Sequence, residues 1–103
     1  MLSPYVESVN VPLLSAFAAA GLETAAFATF AEAEEAKVAR IATQSIVDGA
    51  TDLAKDSCVQ GIFLSCTNLK THRAISQIAE ITGKPVFSSN SALAWHMRRL
   101  AET

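Results

Sequence analysis

The segment VQGIFLS, residues 59–65, places the tightest limit on what this chain can fold into. It is an apolar run without the polar alternation of a strand that has one solvated face. Runs of this kind are typical of strands buried on both sides, as in a parallel sheet covered by helices. Segments with helical spacing of apolar residues flank it at 43–55 and 68–82. Strands that alternate with helices predict an α/β domain with a parallel sheet.

The other expected elements agree with this class, except at the start of the chain. Ser3-Pro4 reads as the N-cap and first residue of a helix that Gly21 ends, although Pro12 lies inside it. A short strand at 23–28, a charged loop and short helix at 31–41, a strand at 85–87 and a helix from Asn90 to Leu100 follow. Because the chain opens on a helix, we expect a three-layer fold, a short parallel sheet flanked by helices, with its first strand missing.

Length and charge exclude several kinds of partner. The 103 residues suffice for a single domain, and a net charge of −2 without a basic patch argues against nucleic acid and anionic membranes. The apolar segment 11–22 lacks the basic flank of a signal peptide and is too short to span a bilayer. Two cysteines are compatible with a reducing compartment. We therefore expect a cytoplasmic protein that contacts no membrane.

Cys66 is the strongest candidate for a catalytic residue. It follows the buried strand and precedes a helix, and ligands of parallel α/β sheets bind at this edge. The N–H groups of Thr67 and Asn68 would be unpaired donors at the helix start, which favour an anion and stabilise a thiolate. These residues would form a cradle for a carboxylate. The alternative is a small buried residue that seals the end of the strand.

The next strand ends in Ser88-Ser89-Asn90, which would lie beside Cys66 in the sheet. Their hydroxyl and amide groups could bind a second carboxylate, while the alternative is simple capping of the last helix by Asn90. Tyr5 would lie on the same rim, either as a ligand-binding residue or as a half-buried aromatic.

Other chemistries find little support in the sequence. A phosphatase loop of the Cys-x5-Arg type needs arginine where this chain has His72, and Arg73 comes one residue late. A glycine-rich phosphate loop and a Cys/His cluster with zinc spacing are both absent from the sequence, so we expect neither metal nor cofactor. His72 is expected to be a solvated helix residue and Cys58 to be structural. In the last helix, we expect Trp95 in the core and His96 on the surface.

The block SCTNLKT, together with SPYVESVN and GKPVFSSNSALAWHMRRL, resembles a known group. It is similar to the C-terminal lobe of maleate cis–trans isomerases and arylmalonate decarboxylases, in the aspartate/glutamate racemase superfamily. The resemblance covers nearly all of residues 1–103, as a single lobe, but only about half of the family's fold.

The resemblance implies cofactor-independent chemistry on small carboxylates bound between two similar α/β lobes. Cys66 matches a cysteine that works opposite a second cysteine in isomerases and racemases, and acts alone in decarboxylases by protonating an enediolate. Tyr5 matches a tyrosine that binds the substrate carboxylate. The backbone after Cys66 matches part of an oxyanion pocket. This role is physically reasonable, because an enediolate concentrates negative charge on its oxygens and N–H and O–H donors directed at them stabilise that charge.

The departures from the family leave several functions open. The N-terminal lobe with its cysteine is absent from this sequence, and Glu35 stands where relatives tend to carry a pocket asparagine. The first hypothesis is an isomerase- or racemase-like domain, similar to maleate isomerase, that is active only as a homodimer or with the missing lobe. Single-cysteine chemistry like that of arylmalonate decarboxylases is an alternative to it. The second is a non-catalytic lobe that folds or dimerises without turnover. The third is a redox sensor, which needs a resolving cysteine closer than Cys58.

Overall fold

A computed structural model describes residues 1–65, 69 and 71–102, apart from the side chain of Glu35. Four short parallel strands form one sheet in the order β2-β1-β3-β4. The strands are β1 (Leu2–Ser3), β2 (Ala28–Thr29), β3 (Ile62–Leu64) and β4 (Val86–Ser88). The predicted α/β class with a parallel sheet is therefore confirmed.

Five helices surround the sheet in the described part of the chain: α1 (Glu7–Ala19), α2 (Glu35–Val38), α3 (Thr43–Leu53), α4 (His72–Thr82) and α5 (Ser89–Ala101). Helix α4 ends at Gly83, because this residue takes the left-handed conformation with φ 68° that glycine adopts without steric cost. None of the described helices has the length and apolar character needed to cross a bilayer.

The main core lies between the sheet and helices α3 and α4. Among the described residues it contains ten buried apolar side chains: Leu2, Val38, Ile46, Val47, Ala50, Ile62, Leu64, Leu69, Ala74 and Ile78. Phe63 alternates with its neighbours in β3 and points to the opposite face, where its ring lies 5.1 Å from that of Phe17 on α1. Helices thus cover both faces of the sheet, which gives the predicted three layers.

The prediction that the first strand is missing is wrong. Leu2 and Ser3 form a central strand, in which Leu2 is in register with Ala28 on one side and Leu64 on the other. Ser3 is consequently not a helix cap. Its hydroxyl donates a hydrogen bond to Asn10 Oδ1, and α1 begins four residues later, at Glu7, with Val6 in the cap position. Pro12 lies within α1 as expected.

Predictions for the last strand and helix also need correction. Trp95, expected in the core, is 59% exposed, and Phe87 in β4 is 52% exposed. The reason is that β4 is an edge strand and α5, which follows it, buries none of its own residues. His96 is exposed as predicted. The cap of α5 is Ser88, not Asn90.

Candidate functional site

The carboxyl ends of β1, β3 and β4 meet at one edge of the sheet. Leu2 is in register with Leu64, and Leu64 with Ser88, so the three strands end at the same level. Helices α1, α4 and α5 follow these strands in the chain, so their N-termini face this edge. The first N–H groups of a helix have no partner within the helix, and they carry its partial positive charge. The edge therefore presents donors suited to an anion.

A cavity of about 680 Å³ opens at this edge, on the side of α3 and α4. Residues at the starts of three helices contribute to it: Thr43 for α3, His72 for α4 and Asn90 for α5. Its described lining consists of Thr43, Leu69, Thr71, His72, Arg73, Ile75, Ser88, Asn90, Ser91 and Ala94. The volume lies in the range of pockets that hold small molecules.

The ionisable side chains among the described lining residues are all basic. Arg73 and His72 are the ionisable side chains among the described lining residues, and none of these is Asp or Glu. Both side chains are exposed. Within the part of the chain that the structure describes, three or more His, Cys, Asp or Glu side chains do not cluster as metal ligands would. The arrangement suits a small anion with an apolar portion against Leu69 and Ile75.

Ser88 combines two roles at the end of β4. It is 1% exposed and lines the cavity. Its hydroxyl accepts a hydrogen bond from the Ser91 N–H at 3.0 Å, and its own N–H donates to Ser91 Oγ at 2.8 Å. This capping box fixes the first turn of α5 and thereby the position of Asn90 on the cavity wall. Ser89, also predicted to bind substrate, is not among the lining residues.

Tyr5 follows β1 at the same edge, held by buried polar contacts that the sequence did not predict. Asn10 on α1, 3% exposed, donates to the Tyr5 carbonyl at 2.8 Å and accepts from Ser3 Oγ at 2.6 Å. The Tyr5 N–H donates to Ser3 Oγ at 3.1 Å, and the Thr29 hydroxyl also donates to the Tyr5 carbonyl. The backbone of Tyr5 is therefore tightly fixed, while its half-buried side chain packs against the core outside the described cavity lining.

Three of the predicted site residues, Cys66, Thr67 and Asn68, lie outside the described residues. The residues on either side of them, Ser65 and Leu69, are 3% and 2% exposed. Ser65 donates its N–H to Leu2 O at 2.9 Å, and Leu69 lines the cavity. Ser65 thus lies beside the central strand β1, and Leu69 lies on the cavity wall.

Several site residues were missed or misjudged from sequence. Arg73, Thr71 and Thr43 line the cavity, and the only signal for them was their position at helix starts on the ligand-binding edge. Asn10 could have been found as a polar residue in the apolar row of α1, four residues after Val6. Cys58, expected to be structural, is exposed.

Comparison with known proteins gives a consistent result. A family model for arylmalonate decarboxylase matches residues 1–103. A glycine-to-cysteine mutant of arylmalonate decarboxylase in the sulfate ion associated form is 30% identical with a TM-score of 0.86, over 98% of this chain and 44% of that chain. A liganded mutant of that enzyme with an additional cysteine-to-serine change is 29% identical with a TM-score of 0.90, over 97% of this chain and 43% of the other.

The unliganded enzyme gives 30% identity and a TM-score of 0.84, over 97% of this chain and 44% of that one. No curated protein matches. The chain therefore spans less than half the length of these solved relatives, as expected for one lobe. The match over the whole chain shows that it belongs to the arylmalonate decarboxylase family, in the aspartate/glutamate racemase superfamily.

Proposed function

We propose that this chain is the cysteine-bearing lobe of a cofactor-independent enzyme that decarboxylates a small arylmalonate-type acid. The observation that carries the proposal is the cavity at the carboxyl edge of the sheet. Its ionisable side chains among the described residues, His72 and Arg73, are basic, and its wall includes Leu69, three residues after Cys66. Solved relatives matched along this chain are arylmalonate decarboxylases, one of them in a sulfate ion associated form. A cytoplasmic location is part of the proposal, on sequence grounds.

The proposed reaction balances without a cofactor. The bond between the α-carbon and one carboxylate breaks, carbon dioxide leaves, and the electron pair moves onto the retained carboxylate as an enediolate. The Cys66 thiol then gives its proton to the α-carbon, which forms the monocarboxylic acid, and the thiolate regains a proton from water. Backbone donors at the helix starts stabilise the charge that develops on the enediolate oxygens. In this scheme Thr67, Asn68, Ser88 and Asn90 hold the carboxylates, whereas Tyr5 and Ser89, also expected from the sequence to do so, lie outside the described cavity lining.

Carbon dioxide release from phenylmalonate tests this reaction. We expect Cys66→Ala to lower the rate by about 10²–10⁴-fold, the usual contribution of a positioned proton donor. Cys58→Ala is the matched control, because this exposed cysteine lies outside the cavity lining and its loss should leave the rate unchanged. A Cys66→Ala protein as active as the wild type would refute the proposal.

Isomerisation of maleate is the second candidate, since a cavity with basic side chains also suits a dicarboxylate whose two carboxylates are both retained. The same variants, assayed by the change in ultraviolet absorbance as maleate becomes fumarate, separate the two reactions. Folded protein that turns over neither acid would favour the non-catalytic lobe.

The partner that we propose for this lobe is a second α/β lobe packed on α5. Four large apolar side chains of α5, Leu93, Trp95, Met97 and Leu100, are each between 55% and 60% exposed. A helix of 13 residues with no buried residue is marginal by itself in water, so another surface should cover it. The solved relatives contain more chain beyond the 43–45% matched here, which is where a second lobe would come from.

Sedimentation distinguishes the two sources of that lobe. A dimer that dissociates in the Trp95→Asp variant would identify the second lobe as another copy of this chain. A monomer that assembles only with a separately produced N-terminal lobe would show that the second lobe is not another copy of this chain. A monomer that associates with neither would contradict the proposal.

A further inference from the structure

Arg73 stands apart from most basic side chains of the molecule. It lines the cavity from the first turn of α4, and within the described part of the chain its guanidinium has no ion-pair partner. Most other basic side chains have a partner. Three form ion pairs: Lys37 with Glu34, Lys55 with Asp52, and Arg98 with Glu102. Lys84 donates to two backbone carbonyls, and Arg99 lies over the Trp95 ring.

The surroundings of Arg73 indicate what it would bind. A guanidinium presents a planar set of donors that matches a carboxylate in a bidentate pair, which a lysine ammonium cannot do. The described lining offers no acidic side chain to compete, and it places apolar Leu69, Ile75 and Ala94 in the same cavity. The ligand expected from this lining has a carboxylate and a hydrocarbon group.

We propose that Arg73 determines the specificity of this site for a doubly charged acid. It pairs with one carboxylate at the mouth of the cavity, while the other carboxylate occupies the edge of the sheet that leads to Cys66. A monocarboxylate can satisfy only one of these positions. The assignment of the second carboxylate rests on the proposed function, whereas the pairing with Arg73 does not.

Binding measurements in the Cys66→Ala background, where decarboxylation is slowed, test the assignment separately from turnover. Titration calorimetry with phenylmalonate and with phenylacetate, which lacks the second carboxylate, gives the preference for the doubly charged acid. We expect the Cys66→Ala protein to prefer phenylmalonate and the additional change Arg73→Gln to reduce that preference by about tenfold or more, since a charge-assisted pair is strong. Arg73→Lys should restore only part of it, because the charge returns without the planar fork.

Arg40→Gln in the same background is the matched control, since this arginine is exposed and lies outside both the cavity lining and α5. Its preference should equal that of the Cys66→Ala protein. An unchanged preference in Arg73→Gln, an equal loss in Arg40→Gln, or a Cys66→Ala protein without preference would each overturn the assignment. If the binding preference depends on Arg73 but the wild type releases no carbon dioxide, the role of Arg73 stands and the proposed reaction fails. If turnover depends on Cys66 but not on Arg73, the proposed reaction stands and the role of Arg73 fails.

Discussion

Replacement of Asn10 by alanine should destabilise the protein strongly, because this side chain joins α1 to the end of β1. The change removes the bond from Ser3 Oγ to Asn10 Oδ1, 2.6 Å, and the bond from Asn10 Nδ2 to Tyr5 O, 2.8 Å. Each is worth about 1 kcal/mol net, and the Ser3 hydroxyl, 0% exposed, loses its acceptor at a cost of about 1 kcal/mol more. The higher helix propensity of alanine offsets about 0.5 kcal/mol.

We therefore expect Asn10→Ala to lower the free energy of unfolding by about 2–3 kcal/mol. Urea denaturation followed by circular dichroism measures this difference. Gln44→Ala is the matched control, because Gln44 makes a bond of similar length, 2.8 Å to Asp48, on an exposed helix face. Its loss should change stability by less than about 0.5 kcal/mol.

A double-mutant cycle with Ser3→Ala identifies the cause of the loss. The two changes should be less than additive by about 1 kcal/mol, since they remove the same hydrogen bond. An Asn10→Ala protein as stable as the Gln44→Ala control would refute the reasoning. Strictly additive single effects would show that the hydrogen bond between Asn10 and Ser3 does not account for the loss of stability.

Three further predictions concern single features of the fold. Gly83→Ala should lower the free energy of unfolding in urea by about 1 kcal/mol, because the backbone at φ 68° resists the new methyl group, although no residue other than its chain neighbours comes within 4 Å of that group; an unchanged midpoint would contradict this. Ser88→Ala should lower the free energy of unfolding by about 1 kcal/mol and speed amide hydrogen exchange in the first turn of α5. Exchange there at the wild-type rate would show that the capping box is unimportant. Burial lowers the pKa of the Met1 amino group from its usual 8.0, so in a chain that begins at Met1 the stability should rise with pH between the lowered pKa and 8.0. Acetylation of this amine should abolish the rise, and a rise that persists would assign it to another group.

The sequence predicted the fold where burial imposes a pattern. An unalternated run such as IFL in β3 is compatible with few environments, and Gly83 is favoured at its position by a backbone conformation that other residues resist. Leu2–Ser3 was missed because two residues carry no periodicity. Their strand exists because β2 and β3 supply hydrogen-bonding partners on both sides.

Side-chain environments that depend on neighbouring elements were harder to predict. Ser88 and Asn90 were expected at the ligand-binding edge because adjacent parallel strands end together, and both line the cavity. Arg73 was compared only with the spacing of a phosphatase loop, which says nothing about the direction of a side chain in the first turn of α4. Trp95 was assigned to the core because of its apolar character, but its environment depends on whether a partner covers α5.

The central claim is that a carboxylate binds at the sheet edge beside Cys66. Alkylation of the wild-type protein by iodoacetamide, followed at each cysteine by mass spectrometry with and without phenylmalonate, tests it without mutation and whether or not the acid is turned over. Exposed Cys58 is the internal reference, since it lies outside the cavity lining and its rate should not change. We predict that phenylmalonate slows the reaction of Cys66 relative to Cys58, and more than phenylacetate does. Equal rates at Cys66 with and without saturating phenylmalonate would contradict the claim.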